Sequence, residues 1–170
     1  PLPVLVVEGN VQSLRDHSRR ESYESQLHDR GVFLACWQEA RSPVSETVTS
    51  IHYTMVQGKC DAHNNFGCEL WFHKDIPIGS VIGNDICIST KNILVLVDEP
   101  RCLLVRVECQ GFCFLAGSMH APHSGTPALV GPWWCRSKSH TVKDSYKEIP
   151  RLFGVDANTS PPCEGTTVSG

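Results

Sequence analysis

The segment VFLACWQEA, residues 32–40, is an apolar run that ends abruptly in polar residues. Its Val, Phe and Leu indicate a short β-strand, and the lack of alternation predicts that both faces of the strand are buried. Gln38 and Glu39 stand where this strand ends. A buried strand that leads directly into a carboxylate is the pattern from which we predict both the fold and the site.

Seven other runs have the same apolar character, and two segments have helical features. The predicted strands lie at residues 4–7, 32–37, 51–56, 68–73, 93–97, 102–107, 112–119 and 152–155. We predict helices over residues 18–30, which Gly31 would end, and over residues 132–149, which Pro150 would end. Residues 98–101 predict a hairpin turn. This order of strands and helices favours a layered α/β architecture over a helical bundle.

Composition limits the classes of protein that the chain can belong to. Its 170 residues, 41% hydrophobic and with a net charge of −3, predict one globular domain without an overall basic surface. No stretch approaches the ~18 consecutive apolar residues of a membrane helix, so we expect no membrane partner. Nine cysteines without a CxxC pair favour a reducing compartment. We therefore expect an intracellular protein, nuclear or cytoplasmic, that is not secreted.

Four of the predicted strands lead into polar side chains in the same way. In layered α/β folds, ligands collect at the carboxyl ends of strands, because the loops that follow the strands converge there. We therefore expect the residues that follow these strands to share one rim. They are Asn10, Glu39, His120, Asp156 and Asn158.

This set of side chains has a recognisable chemistry. Carboxylate and amide oxygens suit Mg²⁺ or Mn²⁺, ions that keep several waters and also bind substrate phosphate. A carboxylate beside a phosphate can orient or deprotonate a water, and a His or Asn can stabilise charge on phosphoryl oxygens. Each residue alone is equally typical of a solvated strand end or a turn, so their common position is what favours a site.

Five blocks along the chain resemble the endonuclease/exonuclease/phosphatase superfamily, whose members have a DNase I-like fold. The blocks are GNVQSL at 9–14, LACWQEAR at 34–41, GCELWFHK at 67–74, GSMHAPHSG at 117–125 and GVDAN at 154–158. The residues of the last two blocks are most similar to those of retroelement-associated endonuclease domains. The resemblance implies a four-layer α/β sandwich, in which two packed mixed β-sheets are flanked by helices. It also implies Mg²⁺-dependent phosphodiester hydrolysis, with DNA as the substrate.

The resemblance also implies a role for each residue of the shared rim. Glu39 would be the principal metal ligand, with Asn10 close to it. His120 would contact the scissile phosphate, at a position where relatives often have Tyr. Asp156 would align or activate the attacking water, and Asn158 would support the transition state.

The chain also departs from the pattern of the superfamily. Relatives have Gly directly before the catalytic Asp, whereas Val155 intervenes here, and the late Asp and terminal Ser-Asp-His block are absent. We therefore expect residues 1–158 to be a partial domain, roughly the first two-thirds of a larger one. Residues 159–170 would then be a flexible tail or a truncated continuation. His123 is either a substrate-binding residue or a simple loop residue.

Two other functions are compatible with the same residues. One is a lipid or phosphoinositide phosphodiesterase on the same fold, which the lack of an overall basic charge allows. The other is a non-catalytic remnant that at most binds a metal or nucleic acid. The sequence indicates no protein partner.

Overall fold

The computed structural model describes residues 4–158, which form eleven strands and two α-helices. The strands are β1 (Val6–Asn10), β2 (Leu34–Gln38), β3 (Glu46–Thr49), β4 (Tyr53–Gln57), β5 (Glu69–His73), β6 (Gly79–Val81), β7 (Asn84–Ile86), β8 (Ile93–Glu99), β9 (Cys102–Cys109), β10 (Phe112–His120) and β11 (Arg151–Asp156). The helices are α1 (His17–Asp29) and α2 (Pro127–Thr141). Neither of these helices is long and apolar enough to cross a membrane. The tail expected at residues 159–170 lies outside the described residues.

The first sheet has the strand order β1-β2-β5-β4-β3. β1 and β2 are parallel, and the other neighbouring strands are antiparallel. β2 and β5 occupy the middle of the sheet and are buried along their whole length, as their unbroken apolar runs predict. Alternate residues of β2 face opposite ways, so Trp37 packs with Leu27 of α1 while Cys36 faces the other cluster of buried residues.

The second sheet has the strand order β11-β10-β9-β8. β10 and β11 are parallel, whereas β9 is antiparallel to both of its neighbours. β8 and β9 form a hairpin with Pro100 and Arg101 at its turn, which confirms the turn predicted at residues 98–101. Leu103, Val105 and Ala116 of this sheet pack into one core with Leu34 and Leu70 of the first sheet. The two sheets therefore lie face to face, and α1 covers the outer side of the first.

Each sheet contains one strand–helix–strand unit with parallel strands. In the first sheet α1 connects β1 to β2, and in the second α2 connects β10 to β11. Parallel strands end at the same edge of a sheet, so each unit places two strand ends side by side. β11 also contacts β1 and β2 across the interface between the sheets. All four carboxyl ends therefore meet at one seam between the two sheets.

A buried ion pair fixes α1 to the first sheet. Arg20 of α1 donates two hydrogen bonds to the fully buried Glu69 of β5, at 2.7 and 2.8 Å. The same carboxylate accepts the indole N–H of Trp71 at 2.7 Å and the hydroxyl of Ser42. All of its acceptor capacity is used, which is the condition under which a buried carboxylate is tolerated.

Several predicted boundaries are wrong. The second helix covers Pro127–Thr141 rather than residues 132–149, because Pro127 lies in the first turn, where its missing N–H costs no hydrogen bond. The helix ends at Thr141, whose hydroxyl donates to the carbonyl of Ser137 at 3.0 Å. Three short strands, β3, β6 and β7, were not predicted, since their sequences are polar or only three residues long.

Candidate active site

Four of the five side chains expected to share a rim meet at the seam. Asn10 ends β1, Glu39 directly follows β2, His120 ends β10 and Asp156 ends β11. The amide of Asn10 donates to Oδ2 of Asp156 at 3.1 Å. Nε2 of His120 lies 3.7 Å from Oε1 of Glu39 and 3.7 Å from Oδ2 of Asp156. The rim predicted from the strand ends is therefore present, and His120 lies between its two carboxylates.

The strand registers explain why these residues are level with one another. Asn10 pairs with Gln38 between β1 and β2, and His120 pairs with Asp156 between β10 and β11. Across the seam, Oε2 of Glu8 accepts the backbone N–H of Val155 at 2.6 Å. The outermost strands of the two sheets are thus connected one residue away from Asp156.

Glu39 leaves its strand through a sharp bend. It has φ of +55°, and Arg41 has φ of +60°, a left-handed conformation that costs a non-glycine residue about 1–3 kcal/mol. The bend is held by backbone bonds from Ala40 to the carbonyl of Gly67, at 2.9 Å, and from Arg41 to that of Phe66, at 2.8 Å. The loop before β5 therefore supports the turn that presents Glu39.

His120 is only 4% exposed, and its surroundings favour the neutral ring. Burial lowers the pKa of His120 most strongly, the Arg101 guanidinium lowers it further, and Asp156 and Glu39 act in the opposite direction. The edge of the Phe66 ring packs on the imidazole, with centroids 5.5 Å apart. Nδ1 is buried and has no hydrogen-bond partner among the described residues. The ring therefore keeps unused hydrogen-bonding capacity next to two carboxylates.

Two arginines compensate the negative charge of the site, and neither was assigned a role from the sequence. Nη2 of Arg41 lies 3.2 Å from Oε2 of Glu39. Arg101, at the β8–β9 turn, stacks on Phe66 at 3.6 Å from the ring centroid and donates to the carbonyls of His120 and Ala121. Arg41 follows Glu39 by two residues, so proximity in sequence was the signal that could have identified it. For Arg101 the signal was weaker, since only the hairpin brings it to the seam.

The remaining two predicted residues lie at the margin of the site. Asn158 donates to the carbonyl of Ala121 at 3.0 Å, which connects the segment after β11 to the segment after β10. His123 is exposed in the loop between β10 and α2, where its carbonyl accepts the N–H of Thr126 at 2.9 Å. Both of the roles considered for His123 are compatible with this position.

The donor set fits a hard divalent cation that keeps water ligands. Within residues 4–158, no three His, Cys, Asp or Glu side chains are arranged to enclose a metal ion. Mg²⁺ is commonly held by one or two carboxylates together with water and substrate phosphate, so it needs no protein cage. Glu39 and Asp156 supply two carboxylates on either side of one histidine nitrogen. The Asn10 amide donates to Asp156, and its oxygen accepts the backbone N–H of Gln12 at 3.1 Å.

Neither a profile of a protein family nor a curated protein sequence matches the chain. Several solved structures do resemble it. The endonuclease domain of TRAS1, a telomere-specific non-LTR retrotransposon, is 12% identical with a TM-score of 0.57, over 93% of this chain and 60% of that one. The AP endonuclease LMAP from Leishmania major is 12% identical with a TM-score of 0.62, over 96% and 57%. The human nocturnin catalytic domain with bound sulfate anion is 14% identical with a TM-score of 0.56, over 94% and 65%.

These likenesses confirm the predicted fold. The chain has the DNase I-like architecture of the endonuclease/exonuclease/phosphatase superfamily, with two packed mixed sheets and flanking helices. It spans less than two thirds of the length of each of the three structures described above.

Proposed function

We propose that this chain supplies most of the active site of a divalent-metal-dependent phosphodiester hydrolase that cleaves DNA. The observation that carries the proposal is the convergence of Asn10, Glu39, His120 and Asp156 at one seam. Placing a buried imidazole beside two carboxylates that are only 21% and 25% exposed costs desolvation free energy, whereas Asn10 stays exposed. The same set is well suited to binding and polarising a phosphate.

The proposed roles follow from what each side chain contacts. Glu39 and Asn10 would hold Mg²⁺ or Mn²⁺, which when bound supplies positive charge beside the phosphoryl oxygens. The Asn10 amide holds Asp156 in a fixed orientation, so this carboxylate can align a water and accept its proton. His120 would donate a hydrogen bond to a phosphoryl oxygen, and Asn158 would hold the adjoining loop in place.

The charges around the site support an anionic substrate. Arg41 and Arg101 flank the carboxylates, so a local cationic element exists in a chain whose net charge is −3. A sulfate bound to the nocturnin catalytic domain supports phosphate binding by this fold. Two further structural neighbours, a retrotransposon endonuclease domain and an AP endonuclease, favour DNA as substrate and a retroelement origin.

A cleavage assay tests this proposal. Supercoiled plasmid and an abasic oligonucleotide are incubated with Mg²⁺ and with protein in excess, because slow cleavage is then still measurable. We expect Mg²⁺-dependent nicking that is reduced at least ~10²-fold in Glu39→Gln and Asp156→Asn. Glu21→Gln is the matched control, since Glu21 is an exposed carboxylate of α1 that lies 3.3 Å from His17.

Three results would contradict the proposal. Intact DNA at every Mg²⁺ concentration would favour a non-catalytic remnant. Equal nicking by wild type and both variants would show that the activity does not depend on Glu39 or Asp156. Cleavage of a phosphoinositide but not of DNA, measured in parallel, would favour the lipid phosphodiesterase.

A further inference from the structure

Gln38 is a buried polar residue that occupies the space between the two sheets. It is 1% exposed, and it stands one residue before Glu39. Its side-chain nitrogen lies 3.1 Å from the hydroxyl of Ser118 on β10 and 3.3 Å from the carbonyl of Gly154 on β11. It is also 3.4 Å from the carbonyl of Cys36 on its own strand. One amide therefore contacts both strands of the parallel pair in the opposite sheet.

Ser118 completes this connection in the other direction. Its hydroxyl donates to the carbonyl of Trp37 on β2 at 2.7 Å, while it accepts from Gln38. The backbone carbonyl of Gln38 in turn accepts the N–H of Val11, just after β1, at 3.0 Å. Every strand that carries a residue of the site is thus connected to Gln38 or to Ser118.

The hydrogen bonds of Gln38 and Ser118 form one network, and its position in the fold is as informative as its bonds. Ser118 and Gly154 pair with each other in register, and each stands two residues before a site residue, His120 and Asp156 respectively. Side chains two residues apart on a strand point to the same face of the sheet. The amide of Gln38 therefore lies one level beneath the site, on the faces from which the site residues project.

The apolar part of the interface cannot fix this geometry as well. Apart from the Glu8–Val155 hydrogen bond between the edge strands, the inter-sheet core is formed by apolar side chains such as Leu34, Leu70 and Ala116, whose contacts are non-directional. A hydrogen bond, in contrast, weakens steeply when its distance or angle changes. A buried amide that lost its partners would also carry an uncompensated desolvation penalty, which opposes sliding or separation of the sheets at this level.

We propose that Gln38 is a positioning residue that sets the separation of the Glu39 and Asp156 carboxylates across the seam, and through it the affinity of the site for a divalent cation. This inference rests on the proposed function. It assigns to Gln38 no contact with metal or substrate. Its effect passes through Ser118 and Gly154 to the strands that end in His120 and Asp156.

The test replaces Gln38 with methionine, which keeps the length of the side chain and removes its N–H donors. Ser118→Ala is a second, milder variant that keeps the test decisive if Gln38→Met does not fold. Ile88→Val is the control, because Ile88 is a buried residue of the same core that lies outside the four strands that the network connects. For each protein we measure Mn²⁺ affinity by electron paramagnetic resonance, stability by urea unfolding, and the separation of the Glu39 and Asp156 carboxylates in a crystal structure.

We expect Gln38→Met to bind Mn²⁺ about tenfold more weakly, Ser118→Ala to show a smaller loss, and Ile88→Val to bind as wild type does. Unchanged Mn²⁺ affinity in both network variants would overturn the positioning role. An equal loss in Ile88→Val would also overturn it, since general destabilisation would then explain the effect. If wild type binds no Mn²⁺, the proposed function fails, and the crystal structure alone then tests whether Gln38 positions the two carboxylates. A changed separation of the Glu39 and Asp156 carboxylates in Gln38→Met supports the positioning role, and an unchanged separation excludes it.

Discussion

The two sheets approach each other closely at Gly154, beneath the site, and Gly154→Ala tests that packing. A Cβ atom at this position would lie 2.4 Å from Cβ of Cys36 and 3.0 Å from Cβ of Glu8. Ordinary carbon contacts are about 3.5–4.0 Å, so the sheets would have to separate by about 1 Å. Neither contacted atom can rotate away, because each is bonded directly to its backbone.

The expected cost of this substitution is large for one methyl group. Overpacking of a core typically costs about 1–3 kcal/mol, and we expect the upper end of that range because only the backbone can relieve the clash. The free energy of unfolding, measured in urea by tryptophan fluorescence, should fall by ~3 kcal/mol, out of the ~5–15 kcal/mol of a typical domain. Gly125→Ala is the matched control, because no atom lies within 4 Å of its Cβ position. It should change stability by less than ~0.5 kcal/mol.

A second substitution shows whether the clash is the cause. Cys36→Gly removes the atom that lies nearest to the new methyl group. In a double-mutant cycle, Gly154→Ala should therefore cost at least ~1 kcal/mol less in the Cys36→Gly background than in wild type. Additive effects of the two changes, or a Gly154→Ala protein as stable as the Gly125→Ala control, would refute the close approach of the sheets.

Three further predictions concern buried ionisable groups. Glu69→Ala leaves Arg20 without its partner, so the free energy of unfolding, measured in urea, should fall by ~3–5 kcal/mol. A loss below ~1 kcal/mol would contradict the buried pair. Burial, with the charge of His28 as the next cause, lowers the pKa of His73, and its Nδ1 accepts two backbone N–H groups at 3.1 Å. As pH falls, the unfolded chain therefore takes up a proton at His73 before the native protein does. The free energy of unfolding should decrease below about pH 6.5, and it should decrease less steeply in His73→Phe. Equal slopes in the two proteins would exclude this cause. Burial raises the pKa of the Cys36 thiol to about 12. Native protein treated with iodoacetamide should therefore be alkylated at the exposed Cys87 and not at Cys36, as mass spectrometry would show. Early modification of Cys36 would contradict its burial.

The sequence predicted that four polar side chains converge, because each of them stands at the end of a strand. An unbroken apolar run marks a buried strand, and the first polar residue after it marks the edge where parallel strands finish together. This reasoning located Asn10, Glu39, His120 and Asp156 without any information on how the sheets pack. It did not locate Arg101, which reaches the seam only through the β8–β9 hairpin and its stacking on Phe66.

Other features depend on tertiary packing and could not be predicted locally. The sequence of β3, Glu46–Thr49, has little apolar character and forms a strand only because β4 offers it an edge. Cys87 lies between two isoleucines in the chain, yet it is exposed in the structure. The role proposed for Gln38 could not be predicted either, because its partners Ser118 and Gly154 are 80 and 116 residues away in the chain.

The central claim is that the seam between the sheets holds a divalent cation, and paramagnetic broadening by Mn²⁺ tests it most directly. In a titration of ¹⁵N-labelled protein, we predict that the backbone amides of Asn10, Glu39, His120 and Asp156 broaden first, and that Asp156→Asn requires a higher Mn²⁺ concentration for the same effect. Broadening that begins instead at the exposed Asp85 of β7, or that is the same in wild type and Asp156→Asn, would contradict the claim.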